Sequence, residues 1–300
     1  MKKYTLLLIA ILISVAVAVL VLFILTAQDK AKDYSPKKDI ALQLYSVRDY
    51  TSRDFDSTIV EIGKMGYTAI EAANFYEGNF YDKTPSEFKA AVENAGLKAL
   101  SSHTTRTLTE KELASKDLTA AMVWWDNAID AHAAAGMAYI VAPWMEVPKT
   151  LADLQTYCEY YNEIGKRCKA KGLSFGYHNH AHEFTKIEDH VMYDYMIEHT
   201  NPEYVFFQMD VYWVVRGQQS PVEYFNKYPG RFHLLHIKDD KELGQSGMVG
   251  FDAIFNNIAK SGAKHIIVEV EKYNYTPLES VQKSLDYLNN SSFVKQTYNN

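Results

Sequence analysis

The sequence predicts an α/β protein: a (β/α)8 TIM barrel preceded by one N-terminal hydrophobic helix. Two observations carry that reading. Strand-like and helix-like segments alternate eight times within about 250 residues, the pattern of a parallel sheet closed into a barrel. In the second half, four apolar runs each end on a residue able to bind a metal or move a proton. These are LSFGYHNHAHEF with His178 and His180, YVFFQMD with Asp210, FHLLHIKDD with His236, and HIIVEVE with Glu269. Successive spacings of 32, 26 and 33 residues from His178 match one strand-helix unit each. A parallel barrel gathers the C-terminal ends of its strands on one rim, so side chains distant in sequence are expected to meet there.

Taken in order, residues 4–28 carry no charge and are long enough at ~1.5 Å per residue to cross a ~30 Å hydrocarbon layer. Residues 1–28 read as a signal-anchor or signal peptide. A cut after Ala27 would put Leu25 at −3, where cleavage favours a small residue, so an uncleaved anchor is expected. The folded part is then expected outside the cytoplasm, membrane-anchored or exported. Residues 29–38, charged and broken by Pro36, read as a tether. The barrel is expected over 39–292 and a polar tail over 293–300.

Within 39–292 the strands are IALQLYSV, YTAIEAA, LKALSSH, MAYIVAPW, LSFGYH, YVFFQMD, FHLLHIK and HIIVEVE. Between and after them, helices are expected over 55–66, 85–96, 118–136, 150–172, 189–199, 220–228, 251–261 and 277–289. Pro85 at a helix start and Gly66, Gly96, Gly136 and Gly172 at helix ends mark the boundaries.

A chain of 300 residues with 47% hydrophobic content can bury one large core, and its net charge of −6 argues against a nucleic-acid partner. No glycine-rich phosphate loop follows the first strand. Cys158 and Cys168 fall on one helix, ~15 Å apart at helical rise, too far for a disulfide.

Side chains alternate along a strand, so Gly176, His178, His180 and His182 share a face if the extended conformation persists. At least one of His178 and His180 is expected to be a metal ligand. His132, His190, His199, His233 and His265 read as satisfied surface or loop histidines. Asp210 stands where its strand leaves the core, and the competing role is capping the next loop or pairing with a lysine. His236 and Lys238 share a face, which suits a ligand beside a cation able to hold an oxyanion. Glu269 and Glu271 also share a face and would repel unless a cation or a shared proton intervenes. Glu269 is expected as ligand and proton-transfer group, Glu71 as a second acid/base, and Lys238 as the catalytic cation. Gln43, His103, Trp144, Glu183, Tyr212 and Trp213 are expected to contact substrate. An aromatic wall with polar edges suits a polyhydroxylated ring. This donor set suits Mn, Zn, Co, Mg or Fe(II).

With LQLYSVRD, GYTAIE, SSH, YHNHAHEF, MDVYW, HIKD and VEVE in this order, the chain resembles the sugar phosphate isomerase/epimerase-like family of xylose isomerase-like TIM barrels over 39–290. The resemblance implies divalent-metal enzymes acting on sugars or related polyols, with Glu, Asp, His and Glu ligands from strands five to eight. Asp210, His236 and Glu269 match three of those positions. Gly176 stands at the fifth-strand glutamate, so His178 or His180 is expected to replace it. Trp213 stands where ketose epimerases often carry a substrate-contacting histidine, which speaks against ordinary ketose 3-epimerase activity. AP endonucleases share the fold, but the acidic charge speaks against DNA.

The expected function is a metal-dependent sugar isomerase or epimerase working through an enediolate. The alternatives are a lyase or hydrolase of 3-keto-glycosides through the same intermediate, and a membrane-tethered sugar-binding protein without turnover.

Overall fold

The computed structural model describes residues 37–298. The expected N-terminal span and most of the tether lie outside them. Among the described residues no helix is long and apolar enough to cross a membrane.

Eight parallel strands close a barrel: β1 (Ile40–Gln43), β2 (Ala69–Ala72), β3 (Lys98–His103), β4 (Tyr139–Ala142), β5 (Ser174–His178), β8 (Val205–Asp210), β9 (Leu234–Lys238) and β10 (His265–Glu269). Neighbours in sequence are neighbours in the sheet, and β1 pairs with β10 to complete the ring. The eight expected helices appear at Phe55–Met65, Pro85–Asn94, Thr119–Ala134, Leu151–Ala170, Met192–His199, Pro221–Lys227, Phe251–Ser261 and Pro277–Asn290. Local signals explain their ends. Thr84 and Glu87 form a capping box, Pro85, Pro221 and Pro277 open helices, and Gly66 closes the first at φ 111°, a conformation that costs glycine little.

Several segments depart from expectation, each for a local reason. The first strand stops at Gln43 because its side chain accepts the Tyr45 backbone N–H (3.0 Å), turning Leu44–Val47 into a 3-10 helix. The helix expected from residue 189 starts at Met192, because β6 (Lys186–Ile187) and β7 (His190–Val191) form a hairpin with Glu188 and Asp189 at positive φ. Short helices Glu110–Ser115 and Val211–Arg216 interrupt two loops. Residues 293–298, expected as a polar tail, pack onto the barrel. Val294 is buried, Phe293 stacks on Phe255, and Asp39 N donates to Gln296 O (2.7 Å). Cys158 and Cys168 are buried free thiols, and burial pushes both up to about 12.

The barrel interior is layered. Ala41, Ala69, Leu100, Tyr139, Val141, Phe206, Leu234 and Ile267 form an apolar plug. Gly176 belongs to this layer: a Cβ there would lie 2.5 Å from the Phe206 ring, which fills the space a fifth-strand side chain would need. One or two residues further along seven of the eight strands, all but β4, the interior turns polar. That switch, set by strand phase alone, places the site.

Candidate metal centre at the barrel mouth

The last inward positions of β5, β8, β9 and β10 are His178, Asp210, His236 with Lys238, and Glu269, all buried. His178, Asp210, His236 and Glu269 each offer a ligand atom within 4.8 Å of the others'. His236 Nδ1 lies 3.4 Å from Glu269 Oε2 and 4.0 Å from Asp210 Oδ2. Two of these atoms, Asp210 Oδ2 and His236 Nδ1, are buried with no hydrogen-bond partner. Unpaired buried polar atoms are costly, so a pair aimed at one point fits a cation held between them. The segment after Asp210, expected as a loop that it would cap, is the short helix Val211–Arg216: Asp210 Oδ1 accepts the Trp213 N–H (2.9 Å) and caps it, leaving Oδ2 facing the cluster.

The electrostatics agree with a cation site. Burial, reinforced by the Glu269 charge, pushes Asp210 up to about 7 despite the pull of Lys238 and His236. Burial drives His178 well below its ordinary value. For His236 burial acts downward too, but the Glu71 and Glu269 carboxylates outweigh it and hold the ring up at about 10. Among the protein's own groups, the compensating charge in the cluster therefore falls on His236 and Lys238. Lys238 Nζ sits 2.9 Å from Glu269 Oε2 and 2.8 Å from Glu271 Oε2. Of the two ways of joining the paired glutamates, a cation or a shared proton, the structure has the cation. Burial lowers its pKa, but the carboxylates of Glu269, Asp210 and Glu271 more than reverse that.

Beneath the cluster lies a second polar tier centred on Glu71. Its Oε1 accepts from Gln43 Nε2 (2.8 Å) and His236 Nε2 (2.6 Å), and its Oε2 from Ser101 Oγ (2.6 Å) and Gln208 Nε2 (2.8 Å). His103 Nε2 lies 3.0 Å from Oε1. Burial raises the Glu71 pKa, but the charges and hydrogen bonds of His103 and His236 hold it well below the ordinary value. A register shift between Ile70 and Glu71 places Ser101 beside Glu71 and lets both Leu100 and Ser101 face inward.

The face shared by four residues of the fifth segment does not persist, because β5 ends at His178. Asn179 turns the chain, its Oδ1 accepting from Asp210 N and Tyr193 OH (3.1 Å each). His178 thus joins Asp210, His236 and Glu269. His180 joins a separate group with His182 and Glu183. Burial pushes His180 down to about 3, and its Nδ1 has no partner. Glu183 is fully buried, accepting from Tyr177 OH and His180 N (2.8 Å each).

A cleft of about 320 Å³ opens above the cluster, lined by Tyr45, Ala73, His103, Pro143, Trp144, His178, His180, Glu269 and Glu271. His103 and Trp144 stand where expected. Gln43 lies in the tier below, Tyr212 OH donates to Asp240 Oδ1 (3.1 Å), and Trp213 covers Lys238, its ring centre 5.4 Å from Nζ. Sequence reasoning missed Gln208, Ser101 and Tyr45. Gln208 was within reach, two residues before Asp210 and therefore on the same face. Ser101 depends on a bulge and Tyr45 on a 3-10 turn, neither of which has a periodic signal.

The family described as xylose isomerase-like TIM barrel matches residues 59–291. An inosose dehydratase of Lacticaseibacillus casei is 24% identical over 283 residues, covering 81% of this chain and 91% of that protein. A sugar phosphate isomerase/epimerase from Parabacteroides distasonis superposes with a TM-score of 0.80 at 32% identity, covering 88% of this chain and 97% of that one. A 3-keto-D-glucoside 4-epimerase of E. coli shares the fold alone, with a TM-score of 0.64 at 16% identity over 85% of this chain and 100% of its own.

Proposed function

Because the chain belongs to the xylose isomerase-like TIM-barrel family, we propose that it is a divalent-metal enzyme that isomerises or epimerises an uncharged sugar by moving a proton next to a carbonyl. The observation carrying this reading is the convergence of His178, Asp210, His236 and Glu269 with two unpartnered atoms among them. His178 Nε2, Asp210 Oδ2, His236 Nδ1 and a Glu269 oxygen would hold the ion. When bound, it supplies Lewis-acid polarisation of a carbonyl and the adjacent hydroxyl.

The chain's own residues do the rest. Glu269 belongs to both the cluster and the cleft wall, so its carboxylate takes the proton from the substrate carbon, leaving an enediolate. Return of that proton to the neighbouring carbon gives the isomer, while a proton delivered by solvent water to the opposite face of the same carbon gives the epimer, Glu269 then releasing its own proton to solvent. Lys238 keeps Glu269 ionised before the transfer. Glu71, with both oxygens saturated by donors, is not the base. Tyr45 and Trp144, each nearly half exposed at the cleft wall, offer apolar faces to the sugar. None of the lining residues is Lys or Arg, while two are carboxylates, so a phosphate group would find no partner there.

The inosose dehydratase relatives favour a second outcome of the same chemistry. Where a leaving group sits β to the carbonyl, the enediolate expels it with a proton, and the enzyme acts as a lyase on keto-polyols or 3-keto-glycosides. The test is solvent exchange in D2O with ketoses, keto-inositols and 3-keto-glycosides. Deuterium should enter at the α-carbon only when a divalent ion is present, and Glu269→Gln should abolish it. Exchange that is absent with every substrate and ion refutes the proposal and leaves a binding protein.

A further inference from the structure

We infer that Glu71 is the positioning residue that selects which nitrogen of each liganding histidine faces the metal. The inference rests on the metal-centre reading above and follows from donor and acceptor chemistry. An ionised carboxylate only accepts. The Gln208 amide must therefore turn its NH2 toward Glu71 Oε2 (2.8 Å), and its Oε1 must face the imidazoles. That oxygen lies 3.1 Å from His178 Nδ1 and 2.7 Å from His103 Nε2, so both nitrogens carry protons. His178 is left with Nε2 as its lone-pair nitrogen. His236 receives the same instruction directly: its Nε2 donates to Glu71 Oε1 (2.6 Å), so Nδ1, 3.4 Å from Glu269 Oε2, is the nitrogen a cation would take by displacing its proton.

One buried carboxylate on β2 thus sets ring orientation on β5 and β9, through one contact to His236 and one relay to His178. Partners of this kind fix the tautomer of a metal-binding histidine and raise its basicity. Glu71 makes no contact with the cleft, so it acts through the histidines.

Glu71→Gln breaks the instruction in either orientation of the new amide. An NH2 at the Oε1 position opposes the His236 Nε2–H. An NH2 at the Oε2 position opposes the Gln208 NH2 and forces Gln208 to flip, presenting donors to His178 and His103. The experiment compares zinc affinity, by competition with a fluorescent chelator, and the imidazole N–H and ring-nitrogen resonances of zinc-loaded protein in 1H–15N spectra. Wild type should bind zinc and show protected Nδ1–H on His178 and Nε2–H on His236. Glu71→Gln should weaken zinc binding by about 10–100-fold and lose or move at least one of these resonances. Gln208→Met serves as the second variant, and decides the matter if Glu71→Gln does not fold. It should lose the His178 signal while the His236 signal stays. Either variant matching wild type in affinity and resonances overturns the inference. Wild type that binds no zinc overturns instead the metal-centre reading on which it rests.

Discussion

Lys238→Met replaces a buried ammonium by an apolar side chain of similar length and leaves Glu269 with His236 as its remaining counter-ion. At 2.9 and 2.8 Å, each ion pair has a gross attraction of about 6 kcal/mol at an effective dielectric near 20, much of it offset by the desolvation of three charges. The variant registers the cost of removing one partner of a buried ion pair, about 3–5 kcal/mol. Glu271, with a side chain about one-third exposed, adds little because water screens it. At roughly 2–4 °C per kcal/mol for a chain of this size, the midpoint should fall by about 6–20 °C. The assay is thermal unfolding by circular dichroism at neutral pH with chelator present. The pH dependence follows from the two shifts. Lys238, raised, contributes stability that is complete below its unfolded pKa and lost as pH rises through the folded value. Glu269, lowered, contributes above about pH 4.3 and loses that contribution as pH falls. The gap between wild type and variant should therefore hold between about pH 5 and 10 and close in acid. A drop of less than about 3 °C at neutral pH would show that the carboxylates are not held together by this cation.

Two further outcomes test the fold around the site. His132, expected at the surface or in a loop, is instead a buried and neutral helix residue, its Nδ1 donating to Ala128 O (2.6 Å) and its Nε2 accepting from Thr104 Oγ1 (3.1 Å), and burial pushes it down to about 4. The unfolded chain takes up a proton near pH 6.5 that the native ring refuses, so wild type should lose about 3 kcal/mol between pH 6.5 and 4 on this account. Denaturant titrations of His132→Gln should show a shallower acid limb, and an unchanged slope would contradict the assignment. Gly176→Ala should cost about 1–3 kcal/mol by pressing on Phe206. Phe206→Leu in the same chain should recover part of that loss, and strict additivity in the double-mutant cycle would count against the contact.

The barrel was legible because its signals are periodic. Apolar strand runs alternate with helical segments eight times, Pro or Gly marks several of the boundaries, and all eight strands and helices appear, with some ends shifted by local contacts. The ligand cluster was legible for the same reason: strand phase alone aims Asp210, His236 and Glu269 at one rim. What phase could not decide was His178 against His180. That depended on where β5 stops, and Asn179 sets the stop through contacts to Asp210 and Tyr193, distant in sequence. Glu71 shows a subtler limit. Its inward phase was readable, but its role turns on how many donors surround it, and those come from β1, β3, β8 and β9. Tyr212 sits one residue after the inward phase at Asp210 has given way to a helix, so its hydroxyl turns to Asp240 instead of the cleft.

The most direct test of the central claim is an anomalous difference map from crystals grown with Mn or Zn. The account predicts one strong peak among His178, Asp210, His236 and Glu269, with ligand distances of about 2.0–2.2 Å for zinc. A peak held instead by His180, His182 and Glu183, or no ordered ion at the barrel mouth, would contradict it.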